Sequence, residues 1–188
     1  MNTNWHNISY LLQGSYRQKL AHEVLVSLDI LKVLKKFSPI LVGTIPLKID
    51  TEQSDLDLIC EVYDSESLKK IVTLKYGDKP EFEISERAIK GIHTVVARFH
   101  YQDFMIEIFG QPVPVEKQHA YQHMVVEARL LRIGGSEAKK KIRTLKLNGM
   151  KTEHAFAHYF NLTGDPYLVL LQLAQFSESE LCRIIEMI

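Results

Sequence analysis

Short apolar runs separated by turn residues predict a β-sheet in the first two thirds of the chain. The predicted strands are residues 40–42, 55–62, 82–88, 92–101 and 104–109. Gln102-Asp103 predicts a tight hairpin between the last two of these strands.

Apolar residues at helical spacing fill most of the remaining sequence. The predicted helices are residues 4–36 with a candidate break at Gly14-Ser15, residues 65–76, 114–133 and 136–148, two helices that begin at Thr152 and Asp165-Pro166, and a final segment at 181–188. Asp64 supplies a capping residue before residue 65, and Ser177-Glu178-Ser179-Glu180 forms a capping box before the final segment. In the first of these helices Val24 and Leu28 lie on the apolar side, which is expected to cover the sheet, and Arg17 lies on the opposite side.

Two acids interrupt the second apolar run. Asp55 and Asp57 are two residues apart, so on a strand their side chains share one face while Leu56 and Leu58 point into the core. Carboxylates a few ångströms apart repel each other, which raises a pKa unless a cation lies between them. Carboxylate oxygens together with substrate phosphates are ligands that suit Mg²⁺, so the pair predicts a divalent-metal site.

An Asp-x-Asp pair is frequent in surface turns, but three further features strengthen this interpretation. Ten residues separate Gly43-Thr44 from Asp55, which lets the two strands be neighbours with the Gly-Thr turn beside the carboxylates. The pair lies in a hydrophobic strand, where a purely structural acid is costly. Glu107 is the one charge in another strand and completes a candidate triad. Backbone N–H groups and the hydroxyl of Gly43-Thr44 can face phosphates.

This combination of residues resembles the nucleotidyltransferase superfamily, which includes DNA polymerase beta and the aminoglycoside nucleotidyltransferases. From Gly43 to about Leu131 the sequence is most similar to a bacterial branch classed as a domain of unknown function. The resemblance implies an α+β fold, with a mixed β-sheet, flanking helices and C-terminal helices. It also implies two-metal nucleotidyl transfer with Asp55, Asp57 and Glu107 as catalytic metal ligands for Mg²⁺ or Mn²⁺.

The expected organisation is a nucleotidyltransferase-like sheet domain with N-terminal helices at 1–135 and a helical segment packed on it at 136–188. Gly43, Thr44, Lys48 and Ser54 are the candidate substrate-binding residues, although Lys48 has an equal claim to be a solvated side chain. A basic run at 139–146 either receives a polyanion or forms a solvated face.

Some residues have a structural interpretation as well as a functional one. Glu107 can form a salt bridge across the hairpin to Arg98 or His100 rather than bind metal. His119 and His123 have the spacing of a helical zinc pair but no third ligand, so a packing or substrate-facing role is preferred. Glu127 is expected to be a surface ion-pair partner, as is its neighbour Arg129.

The composition argues against some classes of binding partner and indicates a cellular compartment. The 188 residues carry a formal net charge of zero, which argues against a general attraction to long nucleic acids or to a membrane. No stretch is long and apolar enough to span a bilayer. Cys60 and Cys182 show no metal or redox spacing and are interpreted as buried thiols, so a cytoplasmic protein is expected.

The favoured hypothesis is a metal-dependent nucleotidyltransferase that moves a nucleoside monophosphate from a nucleoside triphosphate to an unknown acceptor hydroxyl. The alternative is a non-catalytic module of the same fold that binds a nucleotide or a protein. A metal-dependent hydrolase would use the same acids with water as the attacking group, and this possibility stays open.

Overall fold

The computed structural model describes residues 3–186, which form a mixed five-stranded sheet with helices on both faces. The strands are β1 (Ile40–Val42), β2 (Leu56–Glu61), β3 (Glu83–Ile89), β4 (Ile92–Tyr101) and β5 (Phe104–Gln111). Their spatial order is β1-β2-β5-β4-β3. β2 and β5 are parallel, and the other neighbouring pairs are antiparallel. The predicted α+β class and mixed sheet are confirmed.

The helices form two groups, one before and one after the β5 strand. They are α1 (Tyr16–Ser27), α2 (Ile30–Val33), α3 (Thr44–Leu47), α4 (Ser65–Tyr76), α5 (His119–Leu147), α6 (Thr152–Tyr159), α7 (Pro166–Leu173) and α8 (Glu178–Glu186). Short 3₁₀ turns lie at Ser9–Gln13, Lys35–Phe37 and Val115–Lys117. Among the described residues, no helix has both the length and the apolar character that crossing a bilayer requires.

The alternation of side chains along β2 divides the interior into two cores. Leu56 and Leu58 pack with α1, α2 and α4 on one face of the sheet. Ile59 packs with α5 to α8 on the other face. Asp57 alternates with Leu56 and Leu58, so it faces the C-terminal helices rather than the N-terminal ones.

The N-terminal helical region is less continuous than its apolar spacing predicts. The break at Gly14-Ser15 is confirmed, and the Ser15 side chain caps α1 by accepting from the Gln18 backbone N–H. A second break follows α1, because Asp29 adopts a left-handed conformation with φ 51°. An aspartate tolerates this conformation better than most residues. The helix predicted over residues 4–36 is therefore confirmed at Tyr16–Ser27 and in the short turn Ile30–Val33. It is wrong before Ser15, where residues 4–8 are not helical and Ser9–Gln13 forms a 3₁₀ turn.

The longest helix differs from its prediction at its start and at its middle. It begins after Gln118 rather than at Pro114, because Val115–Lys117 forms a 3₁₀ turn. Gln118 Nε2 donates to the carbonyls of Cys60 and Val113, each at 3.0 Å, which ties the start of α5 to the end of β2. The predicted boundary at Gly134-Gly135 is an interruption within α5, where Gly135 has φ 66° and ψ −156°.

Helix starts that carry a capping residue lie where the sequence predicts them. Asp64 accepts from the Ser67 N–H at the start of α4, and Asp165 accepts from the Leu168 N–H at the start of α7. Ser177 and Glu180 form the predicted capping box before α8. Residues 187–188 of the predicted final segment lie outside the described residues.

We expect substitution of Gln18 by Met to lower the free energy of unfolding by about 1–3 kcal/mol. The buried Gln18 Nε2 donates to the carbonyls of Ile45 at 2.7 Å and Pro46 at 3.2 Å, and Met would leave both without this donor. Urea unfolding measures the change. Lys19→Met, an exposed neighbour on the same helix, is the control. Equal losses in the two variants would contradict the prediction.

Candidate functional site

Strand pairing brings the predicted acids to one end of the sheet. In the parallel β2–β5 pair Asp57 lies opposite Glu107, and Asp55 immediately precedes β2. In the antiparallel β1–β2 pair Val42 lies opposite Asp57, so Gly43 follows directly beside the carboxylate. The spacing argument for neighbouring strands is confirmed.

The acids act on one another electrostatically. Burial raises the pKa of Asp57 to about 7, and the nearby charges of Glu107 and Asp55 contribute to this rise. Burial raises the pKa of Glu107, and Asp55 adds to the effect. Burial also raises the pKa of Asp55. Each carboxylate is thus stabilised either by a proton or by a cation that offsets its neighbours.

The side chains do not close into a complete metal cage. Within residues 3–186 no group of three His, Cys, Asp or Glu side chains is close enough to hold an ion. The donor set nevertheless has the chemistry of a hard-cation site, because its oxygens belong to carboxylates on adjacent strands. Mg²⁺ commonly completes its shell with water and substrate phosphate, so fewer than three protein ligands suffice.

Glu107 does not form the alternative salt bridge to Arg98 or His100 that the sequence allows. Arg98 lies opposite Glu107 in the β4–β5 register. Its guanidinium donates instead to Glu83 Oε2, at 3.0 Å from Nε and 2.6 Å from Nη2. His100 Nδ1 lies 3.1 Å from Glu81 Oε2. Both predicted partners are therefore paired with acids of the β3 side.

Gly43 is required by its contact with Asp57. It has φ 84° and ψ −151°, a region almost restricted to glycine. A Cβ atom at this position would lie 2.7 Å from Asp57 Oδ2. The absence of a side chain thus leaves room for the carboxylate at the end of β1.

Of the other predicted substrate-binding residues, Thr44 and Ser54 contact each other, whereas Lys48 is exposed. Thr44 Oγ1 donates to Ser54 Oγ at 3.1 Å, and Ser54 Oγ accepts from the Thr51 N–H at 2.9 Å. Lys48 is exposed at the end of α3, with φ 59°. The stretch after Thr44 is a short helix despite Pro46, which is compatible with a first helical turn.

Arg17 anchors the loop before β2, a role that its helical spacing did not indicate. Its Nη2 donates to the carbonyls of Glu52 at 2.9 Å and Ser54 at 3.1 Å. The guanidinium lies 4.4 Å from the centre of the Phe104 ring. Its Nε is 3.8 Å from Asp50 Oδ2. The prediction that Arg17 faces away from the sheet is wrong, since its long side chain reaches back to the loop.

A cavity of about 440 Å³ extends from the acid end of the sheet to the C-terminal helices. This volume lies within the range of small-molecule sites. Its polar lining includes Gly43, Thr44, Asp57, His123, Glu127 and Glu153. Asp55, Glu107, Lys48 and Ser54 are not among the residues that line it. The cavity therefore adjoins the acids through Asp57.

Glu127 is buried beside the cavity, although the sequence predicts a surface ion pair for it. It is 3% exposed and lines the cavity, so it is not a surface ion-pair partner. Burial raises its pKa well above the ordinary value, and Glu153 adds to the rise. The four-residue step from His123 to Glu127 on one helix face was the available signal. Arg129 does form an ion pair, with Glu178 at 3.3 Å.

His123 lies beside Glu153, another acid that lines the cavity. Its Nδ1 lies 3.6 Å from Glu153 Oε1, and its Nε2 lies 3.0 Å from the Tyr167 carbonyl oxygen. Burial alone would raise the pKa of Glu153, but the adjoining His123 imidazole holds it below its ordinary value. His123 therefore packs against α6 and α7, in keeping with the preferred interpretation.

The basic run divides into solvated and inward-facing residues. Lys140 and Lys141 are exposed, as a solvated face predicts. Lys146 is half-buried, and its Nζ donates to Thr152 Oγ1 at 3.0 Å. Burial lowers the pKa of Lys146, opposed by nearby acids that include Glu127 and Asp57. One lysine of the run thus faces the site.

Residues 23–173 match the family described as a domain of unknown function, DUF4269. The chain belongs to this family. The search of curated proteins found no match.

Two solved structures are similar to this chain in fold. One concerns the RNA terminal uridylyl transferase activity of Cid1, with a TM-score of 0.52, 13% identity, and coverage of 70% of this chain and 41% of that one. The other is the Cid1 poly(U) polymerase with Mg 3′-dATP bound, with a TM-score of 0.51, 14% identity, and coverage of 83% and 48%. The chain spans less than half of each. At such low identity, the structural likeness shows a nucleotidyltransferase-like fold and nothing finer.

We predict that the stability of the metal-free protein falls between about pH 4 and pH 7 because of Asp57. The folded state keeps this proton to about pH 7, whereas the unfolded carboxyl ionises near its ordinary value of 3.8. The folded state therefore binds more protons in this window, and the free energy of unfolding decreases as pH rises.

Asp57→Asn removes this titration. Its stability advantage over the native chain should grow by at least about 1 kcal/mol between pH 4 and pH 8. Urea unfolding in the presence of a chelator measures the difference at each pH. A difference that stays constant with pH would show that Asp57 ionises normally.

We expect Gly43→Ala to lose more stability than Gly135→Ala, by about 1–3 kcal/mol. Gly135 has a similar backbone conformation, with φ 66° and ψ −156°, but no described atom lies within 4 Å of the place that its added methyl group would take. Both variants carry backbone strain, and only the first brings a methyl group against Asp57. Thermal unfolding compares them, and equal losses would refute the contact.

Proposed function

We propose that this chain is a metal-dependent nucleotidyltransferase that transfers a nucleoside monophosphate from a nucleoside triphosphate to an acceptor hydroxyl. The observation that carries the proposal is the register of β2 with β5, which sets Asp57 opposite Glu107 with Asp55 beside them. The cavity at Asp57 supplies the volume for a ligand. The nucleotidyltransferase-like fold supports this class of reaction.

Asp55, Asp57 and Glu107 would hold Mg²⁺ or Mn²⁺, since their raised pKa values are those of carboxylates that a cation would stabilise. Such an ion, when bound, neutralises phosphate charge and lowers the pKa of a coordinated hydroxyl. Binding therefore converts the repulsion among the acids into affinity for the metal and its nucleotide.

Residues around the acids would orient the substrates. Gly43 lets a phosphate approach the β1 end without a side chain in the way, and the Thr44 hydroxyl can turn from Ser54 to a phosphate oxygen. Lys146 lies near Asp57 and would offset phosphate charge. Glu107 lies on the strand next to Asp57 and would accept the proton of the acceptor hydroxyl.

The segment after residue 135 is proposed to act as a lobe that completes the site. It contributes Glu153 to the cavity, and Lys146 faces the same acids. The acceptor is not restricted by net charge alone. Because the similar structures include an RNA terminal uridylyl transferase, an RNA end stays among the candidate acceptors.

We predict that nucleoside triphosphate binding depends on Mg²⁺ and on the Asp pair. Calorimetric titration of each of the four nucleotides should give binding to the native chain with Mg²⁺ and at least about tenfold weaker binding without it. Asp55→Ala/Asp57→Ala should lose the metal-dependent part. Asp57→Asn should reduce transfer by roughly 10³-fold, since metal stabilisation of the transition state amounts to several kcal/mol.

Asp103→Asn is the matched control, because Asp103 is an exposed acid in the turn between β4 and β5. It should bind nucleotide and metal as the native chain does. Failure of every nucleotide to bind the native chain with Mg²⁺ would overturn the proposal.

The second candidate is a non-catalytic nucleotide-binding module. It is favoured by one observation, that Asp57 lines the cavity whereas Asp55 and Glu107 do not. Nucleotide binding that is independent of metal and unaffected by Asp57→Asn would select this candidate over the enzyme.

A further inference from the structure

One buried acid in the cavity lacks a bonding partner among residues 3–186. Glu127 is 3% exposed and lines the cavity. Its carboxyl group makes neither a hydrogen bond nor an ion pair within that range, and its one favourable interaction is the electrostatic attraction of Lys146. A buried polar group without a partner is costly, so folded proteins rarely keep one that serves packing alone. The residue lies on α5 and lines the same cavity as Asp57, which places its carboxyl where a ligand can reach it.

The neighbours of Glu127 are engaged with other groups. Glu153 lies against His123, with Nδ1 at 3.6 Å from Oε1. Lys146 attracts Glu127 electrostatically, but its Nζ donates to Thr152 Oγ1. Glu127 therefore has a nearby positive charge in Lys146 but no hydrogen-bond donor within the described chain, and a donor group that enters the cavity can supply one.

The surroundings define the chemistry of that partner. Beside Glu127 the lining carries two further acids, Asp57 and Glu153, while apolar side chains such as Ile59, Phe109 and Met124 form much of the wall. The cations at the rim, Lys90 and Lys117, are exposed. A group that carries a positive charge and N–H donors is complementary to this interior, because it both neutralises and hydrogen-bonds a buried carboxylate.

We propose that Glu127 forms a subsite for the ammonium group of a small-molecule acceptor, so that the substrate class is an amino-bearing hydroxyl compound. This assignment rests on the proposed function. The apolar walls contact the carbon skeleton of the acceptor, and Glu127 binds its amine. Glu127 thus selects the acceptor, while the acids at the strand ends carry the transfer.

The test uses two probes that differ in one group, 6-amino-1-hexanol and 1,6-hexanediol. NMR titration of the native full chain, without nucleotide, should give a dissociation constant for the amine at least about tenfold below that of the diol. Glu127→Leu and Glu127→Gln should both remove this preference, because neither side chain carries a negative charge. Glu137→Gln, an exposed position on α5, should keep it.

Calorimetry with Mg²⁺ and each nucleoside triphosphate on the same variants separates this inference from the proposed function. Unchanged nucleotide binding in Glu127→Gln, together with loss of the amine preference, supports the subsite. Equal affinity of the native chain for amine and diol overturns it and leaves the proposed function standing. A selective loss of adenine or cytosine nucleotides in Glu127→Leu, with amine binding unchanged, also overturns it, because Glu127 would then contact the nucleobase.

Discussion

The parallel pairing of β2 with β5 is the constraint on which the site depends. It joins strands that are about 50 residues apart in sequence and sets Asp57 beside Glu107. Parallel neighbours require a crossover connection, and here the chain between them supplies α4 and the β3–β4 hairpin. Antiparallel β1 then closes the site from the other side with Gly43, whose missing side chain leaves space for the Asp57 carboxylate.

The two faces of the sheet have different roles. The N-terminal helices cover one face with an apolar core, whereas the C-terminal helices cover the other face and leave a cavity at its acid end. Asp57 and Glu127 are largely withdrawn from solvent there, so their electrostatic interactions are stronger than they would be at the surface. In the proposed function, a ligand that offsets the charge of Asp57 or Glu127 would recover the cost of burying that acid.

Local sequence patterns predicted much of the fold. Alternation in β2 placed Leu56 and Leu58 in a core and Asp57 on the opposite face, because strand side chains alternate irrespective of what packs on them. Capping residues such as Asp64 and Ser177 marked helix starts, since their hydrogen bonds are made within three residues. Glu107 was grouped with the Asp pair because it is the one charge in another apolar strand, and the strand register places it opposite Asp57.

The sequence by itself determined most of the elements and the faces of their side chains, because these depend on residues close in the chain. It also indicated Asp55, Asp57 and Glu107 as candidates, but their meeting depends on the long-range pairing of β2 with β5. Only the tertiary structure decided which polar residues are buried. Glu127 lies inside because α5 packs across the sheet beside α6, and Arg17 turns inward because the loop before β2 offers it carbonyl acceptors. Burial and long-range hydrogen bonding depend on neighbours distant in sequence, which periodicity along one helix cannot reveal.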